Sequence, residues 1–437
     1  MRTGVWTKVL VVGIILLFLL TASIPSTAQD KEKLLLPTPD SWIKTFARPG
    51  DDIGGRVLQT VDGGYIIFGS TEDFGPNGCD VWLIKTDGNG DMVWNKTFGG
   101  TDYQFGISGQ QTTDGGFIII GSTGLIGPGW TDVLLIKTDA NGNEEWNKTF
   151  GGDSYDSGSF VQQTSDDGYI IIGYTYSYGV NENTEDVWLI KTDSNGNKIW
   201  DKTFGGISAD GGSSVHQTTD GGYIMTGYTY SYGAGAEDLW LIKTDGNGNK
   251  LWDKTFGSLK NDIGSCVLQT VDGGYIITGT ITSLFSTNMW LIKTDTNGNK
   301  VWNKHFGGIS FDFGSDVQQT SDGGFIIAGS TLPNRMNHLV SDVYLLKTDS
   351  NGKKQWESSI GGIRDDMGYS VQQTSDGGYI ITGSTTDPFD SLYRDLLLIK
   401  TDSQGKVKTL SSGFLWFERF FQRFPNTVPI LRQLMEY

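Results

Sequence analysis

The chain has 437 residues, 33 of them basic and 50 acidic, for a formal net charge of −17. That balance leaves no basic surface for a phosphate backbone and argues against nucleic acid as a partner. Two cysteines, Cys79 and Cys266, stand at different places along the chain's repeats and are poorly placed to staple one another, so stability must come from a buried core.

Residues 1–28 read as a secretory signal peptide. Arg2 and Lys8 frame the start of an apolar run, Val9 to Leu20, too short for a comfortable membrane span, and Ser26-Thr27-Ala28 supplies small residues for cleavage. Kept uncleaved, the same segment would act as an anchor. Either way the expected location is secreted or at the cell surface, with residues 29–40 as a linker.

Residues 41–410 are dominated by one repeat. Seven turns carry the same signal, beginning at Asp62, Asp114, Asp166, Asp220, Asp272, Asp322 and Asp376, with consecutive copies 50 to 54 residues apart. Each repeat offers four short β-prone runs. In the fourth these are strand a, Ser214–Thr218; strand b, Tyr223–Gly227; strand c, Leu239–Lys243; and strand d, Leu251–Phe256. The period suits a four-stranded propeller blade. Strand d carries tryptophan at 94, 146, 200, 252, 302 and 356, but the seventh repeat stops before its own copy, while Ser41-Trp42-Ile43-Lys44-Thr45-Phe46 precedes the first. The predicted fold is therefore all-β: a seven-bladed β-propeller whose N-terminal strand completes the last blade and hides the free sheet edges.

The run Lys243-Thr244-Asp245-Gly246-Asn247-Gly248-Asn249-Lys250-Leu251-Trp252 resembles the tryptophan-docking repeat of quinoprotein-like propellers. The resemblance implies a propeller. It does not extend to pyrroloquinoline quinone, because no pocket residues for it can be located. The DGGYII, LIKTD and W-x-K-T-F-G-G segments are also similar to those of secreted archaeal and bacterial propeller-repeat proteins.

The tail, 411–437, differs in composition. Phe414, Phe417, Phe420, Phe421 and Phe424 fall at helical spacing before Pro425. A short helix is expected, either capping the propeller or attaching residues 413–437 to a membrane or a surface partner.

Three groups of residues are candidates for function. The Asp-x-Asn-Gly segments at Asp87, Asp139, Asp193, Asp245, Asp295 and Asp349 lack the spacing of a calcium loop and read as hairpin turns. Just before strand a, six repeats carry Asp-x-Gly, at Asp52, Asp156, Asp210, Asp262, Asp312 and Asp366, where the second repeat has Gln104. Around one mouth of a central channel these carboxylates could hold a hard cation such as calcium. The competing reading has each of them fixing a local turn through backbone amides. Apart from calcium no cofactor is expected.

The loop after strand b varies most between repeats, and variable loops on a rigid scaffold are where binding usually sits. Repeats three and four begin that loop with Tyr174-Thr175-Tyr176-Ser177-Tyr178 and Tyr228-Thr229-Tyr230-Ser231-Tyr232. Alternation along an extended chain would put each set of tyrosines on one side. Tyr176, Tyr178, Tyr230 and Tyr232 are the expected contacts for a surface glycan or an extracellular protein. Three scattered histidines, His216, His305 and His338, form no nucleophile or zinc arrangement. The expected role is a non-catalytic binding or adhesion module. The alternative is an extracellular polysaccharide hydrolase or lyase working with carboxylates.

Overall fold

The computed structural model describes residues 41–72, 78–100, 103–124, 130–181, 183–308, 311–332, 340–386 and 393–408. The predicted signal peptide, linker and helical tail lie outside them, as does His338. The described residues form seven four-stranded antiparallel sheets, each a blade of a β-propeller, and contain no helix. The inner strands a run Asp52–Gln59, Gln104–Gln111, Asp156–Gln163, Asp210–Gln217, Asp262–Gln269, Asp312–Gln319 and Asp366–Gln373, and number blades 1 to 7. In blade 4 strands b, c and d follow at Tyr223–Thr229, Asp238–Thr244 and Lys250–Phe256.

Blade 7 is closed as expected. Trp42–Phe46 pairs antiparallel with strand c, Arg394–Thr401, from Trp42 opposite Lys400 to Phe46 opposite Leu396. Strand a of blade 1 packs on blade 7 as each other inner strand packs on its predecessor.

The core lies between blades. Strands b and c read as nearly continuous apolar runs because both of their faces are buried. In blade 1, Ile66 and Phe68 face blade 2 beside Phe117, Ile119, Leu134 and Ile136. Their neighbours Tyr65 and Ile67 face blade 7 beside Ile380, Leu396 and Leu398. Burying such side chains contributes roughly 1.5–3 kcal/mol each.

Each segment of the repeat has a packing task. The strand-d tryptophan crosses to the next blade, where it meets the first aromatic of strand b edge-on. Trp42 reaches Tyr65, Trp94 reaches Phe117 and Trp252 reaches Tyr275, with centroids 5.7–6.2 Å apart at all seven junctions. The indole lies over the glycine of that blade's c–d turn, as Trp252 does over Gly298; a Cβ there would overlap the ring, and its φ of 76° favours glycine independently.

The lysine of LIKTD is almost fully buried and pairs with the aspartate of the Asp-Gly-Gly turn in every blade, at 2.8–3.0 Å. The last glutamine of strand a accepts an amide hydrogen from the turn of the preceding blade. Gln217 thus holds Ser165, and across the chain's closure Gln59 holds Ser375, each at 2.8 Å.

Candidate functional site

Antiparallel blades sort their loops onto two faces. The a–b and c–d turns share one face, nearly constant and tied down as above. The b–c loops and d–a connections share the other, where large aromatic side chains are exposed.

On that variable face Trp130, at the end of the blade-2 b–c loop, is 63% exposed, and Tyr155, in the connection to blade 3, is 48% exposed. Their rings stack 6.0 Å apart at 18°. Tyr155 meets Tyr176 edge-on at 6.2 Å, and Tyr176 meets Tyr174 at 6.3 Å. The band continues toward blade 4 through Glu185, which accepts the Tyr228 hydroxyl at 3.0 Å, while Tyr228 meets Tyr230 at 6.4 Å. The Glu185 carboxylate, with burial, pushes the Tyr176 phenol up to about 12, so Tyr176 stays a neutral donor at any physiological pH.

The four tyrosines expected as contacts divide into two pairs. Strand b ends at Thr175, and Thr175 Oγ1 accepts both Ser177 N and Tyr178 N at 3.1 Å. The chain bends there, so the alternation expected of an extended loop stops. Tyr178 is pinned in place, its hydroxyl donating to Gly151 O at 2.6 Å and its ring against Trp188, while its other side stays exposed. Tyr232 repeats this with Gly205 O at 2.8 Å and Trp240. Tyr176 and Tyr230 stay in the band.

Trp130 and Tyr155 were not foreseen. The signal was present for Trp130, the one described tryptophan outside a repeat position.

Asp52, Asp156, Asp210, Asp262, Asp312 and Asp366 each open strand a and are buried. Asp156 accepts Gly152 N at 2.8 Å, Ser177 Oγ at 2.6 Å, Ser177 N at 3.4 Å and the Thr175 hydroxyl. Asp210 repeats the pattern with Gly206 N at 2.9 Å, Ser231 Oγ at 2.6 Å, Ser231 N at 3.3 Å and the Thr229 hydroxyl. These bonds hold the d–a connection to the start of the b–c loop. Among the described residues no three histidine, cysteine, aspartate or glutamate side chains gather to hold a metal ion.

The axial channel opens into a cavity of about 400 Å³ between the inner strands. Arg56 crosses it, its guanidinium 4.5 Å over the Phe160 ring. His216 lies against Phe160 at 5.1 Å, and burial, reinforced by Arg56, pushes its pKa down to about 3. Cys266 and Asp316 line the same cavity, and His305 sits in strand d of blade 5.

No protein-family profile and no curated protein matches this chain. Among solved structures it is similar to Sqt1 of Chaetomium thermophilum, at 12% identity and a TM-score of 0.49, covering 84% of this chain and 98% of that one. It is also similar to the β-propeller domain of the Trilobed protease from Pyrococcus furiosus, at 9% identity and 0.46, covering 84% and 98%. A third is the phage phi92 endosialidase, at 10% identity and 0.46, covering 85% and 70%.

Proposed function

We propose that this propeller is a non-catalytic extracellular recognition module that takes a surface glycan on the aromatic band of its variable face. The observation that carries the reading is the stacked, solvent-facing pair Trp130 and Tyr155, continued by Tyr176 and, across Glu185, by Tyr230. Exposed rings already held in place lose little entropy on stacking against the apolar face of a sugar, while flanking tyrosine hydroxyls donate to and accept from its hydroxyl groups and carboxylates accept from them. Neutral His216, remote from this band, supplies no general base to it.

The test is an immobilised glycan panel probed with the wild-type chain and with W130A/Y176S/Y230S, with reducing-end release measured in parallel. Loss of a wild-type interaction at unchanged melting temperature is expected. Retained binding in the variant would refute the band as the site. Release of reducing ends by wild type would favour the hydrolase or lyase reading instead.

A further inference from the structure

The blade junctions hold a second pattern. The aspartate that opens strand c of one blade lies beside the aspartate that opens strand a of the next. A Cβ placed on Gly205 would collide with Asp186 Oδ1 and lie 2.9 Å from Asp210 Oδ2. One on Gly257 would collide with Asp238 Oδ1 and lie 3.1 Å from Asp262 Oδ2. Asp132 with Asp156, Asp342 with Asp366 and Asp395 with Asp52 complete five such pairs. Two carboxylates packed this closely out of water cannot both ionise without a large penalty.

Three observations say how the charge is disposed. First, at two junctions the strand-a member is saturated as an acceptor: Asp156 and Asp210 each accept four hydrogen bonds. Second, the strand-c members Asp132, Asp186 and Asp238 are buried, each with at least one oxygen that no donor reaches. Among the described residues neither oxygen of Asp132 has a partner, nor does Oδ1 of Asp186 or Asp238, although Asp186 Oδ2 accepts Val180 N. A fully buried carboxylate without donors is costly, whereas a protonated carboxyl brings its own. Third, the two remaining junctions each replace one acid by an amide. Gln104 takes the strand-a place opposite Asp80, and Asn288 the strand-c place opposite Asp312. An amide has the shape of a protonated carboxyl, so neither of these junctions sets two carboxylates against each other.

We propose that at the Asp132/Asp156 and Asp186/Asp210 junctions the strand-c aspartate carries a proton at neutral pH, so that the ring is fastened there by buried carboxyl–carboxylate pairs. Burial raises the Asp132 and Asp186 carboxyls, with the charges of Asp156 and Asp210 adding to it. At the closing junction burial pushes Asp52 up to about 7 against its bonds to Thr71 and Arg48 N, with Asp395 adding and the Arg48 charge opposing. Other titratable groups face these pairs: Tyr178 at Asp132/Asp156, Glu185 at Asp186/Asp210, Cys79 at Asp52 and His305 at Asp262. A pair of this kind titrates as a unit. A folded pKa above the unfolded value means that the contribution to stability is full below about pH 4 and is lost as pH rises through the folded value, which is about 7 for Asp52 at the closing junction. Ser177 and Ser231 tie the loops bearing Tyr176 and Tyr230 to these pairs. If the glycan reading holds, alkaline pH also loosens the band.

The experiment follows melting temperature of the wild-type protein and of D132N/D186N between about pH 5 and about pH 8. The wild type is expected to lose several degrees across that range. The variant should show a flatter profile and the higher melting temperature at the alkaline end. D156N/D210N, which removes the acceptors, should melt lower at every pH. Parallel wild-type and D132N/D186N profiles would overturn the proposal. So would a calcium-induced rise at alkaline pH that D132N/D186N abolishes, since a cation and not a proton would then occupy the pair. If D132N/D186N does not fold, infrared spectroscopy of the wild type still decides: a protonated-carboxyl band at neutral pH supports the proposal, and its absence sinks it. None of these readouts depends on the glycan.

Discussion

The two faces of the ring solve the same problem differently. On the constant face every blade repeats one device, in which a buried lysine neutralises a turn aspartate that also accepts a threonine hydroxyl and a glycine amide. In blade 4 burial works against ionisation of Asp220, but Thr218, Gly222 and Lys243 outweigh it and pull the carboxyl down to about 2. On the variable face the aspartates press on one another, burial raises Asp132 and Asp186, and large aromatic rings stand in solvent. Identical blades thus place their satisfied electrostatics at one end and their unrelieved polarity and exposed apolar surface at the other. This is the asymmetry expected when one side is selected for assembly and the other for contact.

The largest effect should come from what both faces share, the closure. Removing residues 29–46 deletes the outer strand of blade 7, exposes the edge of Arg394–Thr401 and removes Trp42 from Tyr65. A loss of several kcal/mol and aggregation are expected in thermal melts and size-exclusion chromatography. An unchanged melting temperature would break the closure argument.

Next, W252A empties the space between Tyr275 and Gly298 and should cost about 3 kcal/mol in denaturant unfolding. D220N tests the constant face alone. It strands Lys243, whose side chain is 4% exposed, but the lost carboxylate is 60% exposed, so a loss of about 1–2 kcal/mol is expected. The sign with pH is opposite to that of the junction pairs: a depressed carboxyl contributes fully above about pH 4 and loses its effect as pH falls through about 2. Acid melts of wild type and D220N should therefore converge at the low end. The smallest effect is expected for W130A, within about 0.5 kcal/mol, because that ring packs little surface away from water. A large loss would move Trp130 from the variable face into the core and erase the contrast between the faces.

The repeat made the fold legible in advance. Blade number, strand order and the closing strand all follow from the Asp-Gly-Gly spacing and the misplaced tryptophan. Strand a was read too short, as Ser214–Thr218 instead of Asp210–Gln217. Its Gly-Gly start looks like a loop, yet a β-bulge between Gly212 and Ser214 lets it pair with strand b. The candidate site was half legible. Its tyrosines stood out by repetition, but the pinning of Tyr178 and Tyr232 away from the band depends on a threonine hydroxyl capping a bend, a local competition that alternation cannot show. Tyr155 was illegible because its exposure and its stacking on Trp130 arise only when two connections from different blades meet. The junction pairs were half visible, since strand-a aspartates were noted as a ring while their strand-c partners were absorbed into an apolar run.

The closing strand also imposes an order of events on synthesis. Six blades are contiguous segments that can form as they emerge. The seventh joins Trp42–Phe46, the earliest of the described strands, to Arg394–Thr401, the latest. Throughout elongation the early strand has no sheet to enter, and when the late strands arrive the chain must close a loop of more than three hundred residues. Every nascent or truncated chain therefore carries two open edges, each a template for a neighbour's strand. The ring is protected only when finished, and it is finished by a single event, the pairing of Trp42–Phe46 with Arg394–Thr401.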